Sequence, residues 1–168
     1  MNNICYLAIG GNMGNRPENL AAARIAIAAL PDTRLLESSH DHITRPVGGP
    51  PGQNDYLNAA LKIQTCLAPL ELLRRLLEIE RRMGRDRDRD REGRNGPRII
   101  DIDILLYNDI VLASGALTIP HPRMHLRTFV LMPLCDIAPD VIHPILGIPI
   151  HLLAARCYAG GTAMEATP

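Results

Sequence analysis

Apolar residues recur along this chain with two different periods, and the places where the period changes mark out its elements. Ile4 to Ile9 (ICYLAI) is a short apolar run followed by Gly10-Gly11-Asn12, which predicts a buried strand entering a turn. Asn15-Arg16-Pro17-Glu18 supplies a capping Asn, an early Pro and an acid beside a helix N-terminus, so the Ala-rich stretch that follows reads as a helix up to Leu30, stopped by Pro31-Asp32. Thr33 to His42 alternates irregularly and suits a strand. Thr44 to Asn54 (TRPVGGPPGQN) has the Pro and Gly content of a loop. Tyr56 to Thr65 predicts a second long strand, and Pro69 opens an amphipathic helix on Leu70, Leu73, Leu76, Leu77 and Ile79 that should end near Gly84. Arg98 to Tyr107 is rich in β-branched residues, and the turn at Asn108-Asp109 predicts a hairpin with Ile110-Val111-Leu112. Leu117-Thr118-Ile119 reads as a short extended piece, and Thr128 to Cys135 as a helix closed off by Pro139. Strands separated by helices, with at least one hairpin, predict an α+β fold with a largely antiparallel sheet and helices packed on it. Residues 1–168 form a single domain in this reading, with a poorly ordered tail from 158 to 168.

Composition narrows the choice of function. The 168 residues are 46% apolar, enough for one sizeable core, and eighteen basic residues balance eighteen acidic ones. A neutral chain has no general attraction for nucleic acid or an anionic membrane, so any anion site must be a local concentration of charge. No apolar stretch approaches the roughly 20 residues of a spanning helix and no secretory start is visible, which together predict a cytoplasmic protein. Cys5, Cys66, Cys135 and Cys157 are scattered without CxxC spacing and read as small core residues. With five aromatic residues in all (Tyr6, Tyr56, Tyr107, Phe129, Tyr158), the core must be aliphatic.

The candidate chemistry lies in the middle of the chain. In Ile100-Asp101-Ile102-Asp103-Ile104, strand periodicity buries the isoleucines and sets both carboxylates on the opposite face, with α-carbons about 7 Å apart. Such a pair either marks an exposed sheet face or bridges a divalent cation, most naturally magnesium. Immediately upstream, residues 81–98 carry eight arginines against four acids. That run is either a self-neutralising surface loop or a polybasic lid whose guanidinium forks suit phosphate oxygens. A metal-binding carboxylate pair beside a polybasic lid is what polyphosphate transfer requires, because positioning and charge neutralisation supply most of that catalysis. Gly10-Gly11-Asn12-Met13-Gly14 lacks the Lys-Ser/Thr of a phosphate loop and reads as a structural turn. The histidines show no metal-ligand spacing and read mostly as surface residues; His121, held between two prolines, is the exception. Two rival readings are a ferredoxin-like binding module without catalysis and an RNA-binding domain using the arginines. The second is weakened by neutral charge and few stacking aromatics.

Several spaced blocks, in order, resemble the 6-hydroxymethyl-7,8-dihydropterin pyrophosphokinases (HPPK) of folate biosynthesis: residues 8–12 (AIGGN), 53–60 (QNDYLNAA), 96–103 (GPRIIDID), 119–122 (IPHP) and 127–131 (RTFVL). The resemblance implies a ferredoxin-like fold and transfer of the β,γ-pyrophosphoryl group of ATP to the pterin hydroxymethyl group, with release of AMP. It implies two magnesium ions on Asp101 and Asp103, and catalytic arginines at Arg85 and Arg98. Nucleotide contacts would come from Glu80, Arg87, Arg98, Ile104, Thr118, His121 and Arg127. Tyr56 and Phe129 would sandwich the pterin ring, with Asn58, Thr44 and the backbone of Val47 completing the pocket. The implied partners are these two small molecules, without nucleic acid or membrane, and the enzyme is expected to be a monomer. Three features depart from the family's usual pattern: Asn95 stands where Trp commonly precedes Gly-Pro-Arg, the charged loop is longer, and Gly11 replaces a frequent Ser at a position read as remote from the chemistry.

Overall fold

The computed structural model describes residues 2–85 and 96–164. Five strands form one antiparallel sheet: β1 (Asn3–Gly11), β2 (Thr33–Ser38), β3 (His42–Thr44), β4 (Tyr56–Thr65) and β5 (Asp101–Tyr107). The order across the sheet is β2-β4-β1-β5, with β3 continuing the β2 edge along β4. Helices α1 (Arg16–Ala28) and α2 (Pro69–Arg82) each cross over to a non-adjacent strand, which gives the ferredoxin-like arrangement. A two-stranded ribbon of β6 (Leu112–Ala113) and β7 (Thr118–Ile119) follows, then α3 (Thr128–Ile137) and α4 (Ile150–Met164).

Strand alternation divides the core in two. Cys5, Leu7 and Ile9 of β1, Leu57, Ala59, Leu61 and Ile63 of β4, and Ile102 and Ile104 of β5 bury against Leu20, Ala23 and Ile27 of α1 and Leu72, Leu76 and Ile79 of α2. The opposite face presents Tyr6, Ala60, Leu105 and Leu106 to Val130, Leu131 and Leu134 of α3 and Ile150, Leu153 and Ala154 of α4. A register shift opposite Tyr6/Leu7 is what lets Leu105 and Leu106 both join this second cluster. Helices α3 and α4 pack over one part of that face. The row Asn58–Gly10–Asp101, directly paired across three strands, lies on the same face, and so does the row Ala60–Ala8–Asp103.

Several sequence expectations need correction. Gly10 and Gly11 do not turn the chain; they continue β1, paired with Asn58 and Leu57. The stretch from Thr33 to His42 is broken at residues 39–41. Its hydrogen bonds there pass to Ser39, whose N–H donates to the Ala60 carbonyl while its Oγ accepts from Ala60 N. The buried stripe of α2 is Leu72, Leu76 and Ile79, and Leu70 is exposed. The hairpin onto Ile110–Leu112 does not form. Asn108, at a φ of 44°, instead donates its backbone N–H to Ile4 O and accepts from Ile4 N, so β5 ends tied to β1 and Leu112 pairs with Ile119. Of the cysteines only Cys5 is buried; all four are free. His143 is not a surface residue: it is buried, and its Nδ1 accepts the N–H groups of Ile145 and Leu146. Helix α4 runs from Ile150 to Met164, and residues 165–168 lie outside the described residues. Among the described residues, no helix is long and apolar enough to cross a membrane.

Candidate active site

Beyond the cover of α3 and α4, the sheet face opens into a cleft of about 690 Å³ including its mouth. It is lined by Thr44, Val47, Tyr56, Asn58, Arg98, Asp101, Asp103, Arg127 and Phe129. Nine of the residues named from the sequence thus converge, drawn from segments up to 85 residues apart in number. Gly10, Arg45 and Val130 also line it. Three more lie off this lining: Ile104 points its side chain into the core beneath the sheet, Thr118 sits on β7, and His121 is partly buried just beyond. Glu80 and Arg85 form a second row behind Asp101. Arg87 lies outside the described residues.

The acidic half of the cleft is asymmetric. Asp101 takes Arg98 Nη1 at 2.6 Å on one oxygen and Arg85 Nη1 on the other. Burial works against its charge, but the two guanidiniums more than offset that and hold its carboxyl below the usual range. Arg85 Nη1 also donates to Glu80 at 2.6 Å. Glu80, 1% exposed, uses the same oxygen to accept the backbone N–H of Ile102 at 2.7 Å, so it anchors β5 midway between the two aspartates. Asp103 has no hydrogen-bond or ion-pair partner among the described residues. Burial first, then the charges of Asp101 and Glu80, push its pKa up to about 7. Two hard carboxylates on one strand face, one of them short of a cation, fit a divalent ion such as magnesium that draws its other ligands from water and phosphate. The described residues contain no group of three or more His, Cys, Asp or Glu that could hold a metal ion without such help.

On the basic side, the Arg127 guanidinium lies 5.5 Å over the Phe129 ring. The pKa of His121 is pushed down to about 4 by burial and by Arg127 and Arg123, so its ring is neutral at pH 7. Its Nδ1 accepts Arg123 N–H at 3.2 Å, which leaves the hydrogen on Nε2, free to donate. On the apolar side, Asn58 Nδ2 donates to Thr44 Oγ1 at 2.8 Å, and the Tyr56 hydroxyl donates to Gly96 O at 3.0 Å.

Two groups of positioning residues escaped the sequence reading. A Cβ on Gly10 would stand 2.3 Å from Asn58 Oδ1, so the strand must carry glycine where the Asn58 amide lies across it. Asn12, 2% exposed, accepts Arg98 N–H at 2.9 Å and donates to Gln53 Oε1 and Asn54 O, binding three loops together. An apolar strand ending in Gly-Gly-Asn carries no signal of these roles until its pairing partner is known.

Fold and cleft together define a ferredoxin-like α+β domain with a mixed acidic and basic site at the open end of one sheet face. The 7,8-dihydro-6-hydroxymethylpterin-pyrophosphokinase (HPPK) family model matches residues 6–139, and the chain belongs to that family. It is 45% identical over 139 residues to the 2-amino-4-hydroxy-6-hydroxymethyldihydropteridine pyrophosphokinase of Haemophilus influenzae, covering 83% of this chain and 84% of the relative. The Pseudomonas aeruginosa protein of the same name is 42% identical, over 92% of this chain and 93% of its own length. Among solved structures, a Plasmodium falciparum HPPK-DHPS with pteroate superposes with a TM-score of 0.76 at 16% identity. That match covers 99% of this chain but 44% of the Plasmodium chain, and it supports the fold.

Proposed function

We propose that this chain transfers the β,γ-pyrophosphoryl group of ATP to the hydroxymethyl group of 6-hydroxymethyl-7,8-dihydropterin, forming the pterin diphosphate and AMP. The observation that carries the reading is the meeting, in one cleft, of an aromatic and amide slot with a carboxylate pair flanked by arginines. Tyr56 and Phe129 bracket the flat pterin, and Asn58, fixed by Thr44, hydrogen-bonds its polar edge beside the backbone of Val47. Asp101 and Asp103 would hold magnesium, two ions in this reading, which when bound would supply charge neutralisation and Lewis-acid polarisation at the triphosphate. Arg98 and Arg85, already at Asp101, lie where they can turn onto the phosphate chain as its charge shifts. Neutral His121 donates from Nε2 and Arg127 adds positive charge on the nucleotide side, with Thr118, Arg87 and the backbone of Ile104, whose side chain is buried in the core, as further contacts. Glu80 serves the same site from behind by fixing Arg85 and the β5 backbone. The enzyme acts as a cytoplasmic monomer in this reading, a compartment in keeping with its four free cysteines.

The test is AMP release from ATP, which should require both magnesium and the reduced pterin. Asp101→Ala should lower turnover by at least about 10³-fold with the fold retained, since it removes a ligand and the partner of both arginines. AMP release without pterin, or near-normal turnover of the variant, would overturn the assignment.

A further inference from the structure

The pterin slot has two walls that the backbone does not connect directly. One is the sheet edge, with Thr44 on β3 and Tyr56 and Asn58 on β4; the other is α3, with Phe129 in its first turn. β3 is a weak support, because it has three residues, pairs only with β4, and stands between the break at residues 39–41 and the Pro/Gly-rich loop. Its ladder alone gives Thr44 little to hold it against α3.

Among the described residues, the hydrogen bonds joining β3 and the break before it to α3 all end on one carboxylate, Asp136. His42 Nε2 is 2.8 Å from Asp136 Oδ2, and the backbone N–H of His40 donates to the same oxygen at 3.2 Å. The His40 ring nitrogen Nδ1 lies 3.4 Å from that oxygen as well, but this ring is almost fully exposed. Periodicity aligns this contact with the slot. His42 and Thr44 are two apart on β3 and so share a face, with His42 directly opposite Asn58 and Thr44 directly opposite Tyr56. Phe129 and Asp136 are seven apart on α3, two turns along nearly the same face, about 10 Å from each other. The other side of the break is held separately, by an Arg24 ion pair from α1 to Asp41. We infer that the His42–Asp136 pair is a strut that sets the separation of β3 from α3, and with it the width of the pterin slot, making His42 and Asp136 positioning residues for pterin binding.

The inference rests on the pterin reading of the slot but concerns residues that touch neither substrate. His42→Phe keeps the ring volume and removes the donor, whereas His42→Gln keeps a nitrogen donor at similar reach. Asp136→Asn keeps an acceptor for both contacts, and Asp136→Ala removes it. His42→Phe and Asp136→Ala should each raise the pterin KM about tenfold, with the ATP KM and kcat changed less than about twofold. His42→Gln and Asp136→Asn should restore the pterin KM to within about threefold of the parent, and His42→Phe combined with Asp136→Ala should cost no more than either alone. An unchanged pterin KM in His42→Phe would overturn the strut. So would parallel rises in both KM values, or additive effects in the double variant. Should Asp136→Ala fail to fold, the His42→Phe and His42→Gln comparison decides the matter alone. A parent enzyme that releases no AMP with the pterin would instead sink the reading of the slot.

Discussion

Asp103 shows how much of the site was written in residue types and how much was not. Spacing alone set both aspartates on one face, and the paired rows bear that out. It did not reveal that one would be neutralised by arginines and the other left without an ion-pair partner among the described residues, since that depends on Arg85 and Arg98 folding back onto Asp101 from either side of residues 86–95. The difference has a measurable consequence. The pKa of Asp103 is raised to about 7 in the fold, against its usual value of 3.8, so the native state binds a proton that the unfolded chain gives up. Below pH 4 both states are protonated and nothing is lost. As pH rises through the interval up to about 7, the fold loses stability, because the carboxylate ionises in a buried place beside the charges of Asp101 and Glu80. Without magnesium, Asp103→Asn should therefore raise the Tm by roughly 5 °C at pH 8, with the gain shrinking through pH 6 and vanishing near pH 4. A gain that did not depend on pH would show that Asp103 is destabilising for reasons of shape, not charge.

At the level of elements, β4 was legible with its own bounds, because its turn signals are sharp and its alternation is long. The β1 terminus was not. Gly10-Gly11 looks like a turn by composition, and only close neighbours across the strands explain two glycines here: the Asn58 side chain against Gly10 and the Ile99 backbone against Gly11. A Cβ on Gly11 would come within 2.2 Å of Ile99 O and 3.2 Å of Arg98 O. This places Gly11 against the segment that delivers Arg98 to Asp101, a segment also held by Asn12 N–H and Met13 N–H donating to Arg98 O. The sequence reading set Gly11 apart from the chemistry; the packing ties it to the element that carries the chemistry. Gly11→Ala should thus cost about 1–3 kcal/mol of stability by overpacking. It should also lower kcat per folded molecule more than about tenfold, because Ile99 and Arg98 must move to make room. Thermal unfolding and active-site titration on one sample separate the two effects, and a variant that is less stable yet fully active per folded molecule would contradict the coupling.

For the whole molecule, zero net charge hides a gathering of arginines at the cleft. Away from the site, several charges meet their opposites locally: Arg74 and Arg75 with Glu71, Arg82 with Glu78, Lys62 with Glu37, Arg24 with Asp41. Arg45, Arg98 and Arg127 all line the cleft, with Arg85 behind them. Overall charge therefore says nothing of the site, and the sequence betrayed it only through the crowding of arginines before Asp101. The two proposed substrates should sense this field differently, since a magnesium–triphosphate complex is anionic and the pterin is neutral. At an ionic strength of about 0.5 M the screening length falls below about 5 Å, short of the distance across the cleft. Raising ionic strength from about 0.05 to 0.5 M with a chloride salt at constant free magnesium should raise the ATP KM at least about fivefold and leave the pterin KM within about twofold. If both rise together, salt is disturbing the cleft itself. If neither rises, the guanidiniums are held too tightly by Asp101 and Glu80 to contribute to capture, and they engage the phosphates only after binding.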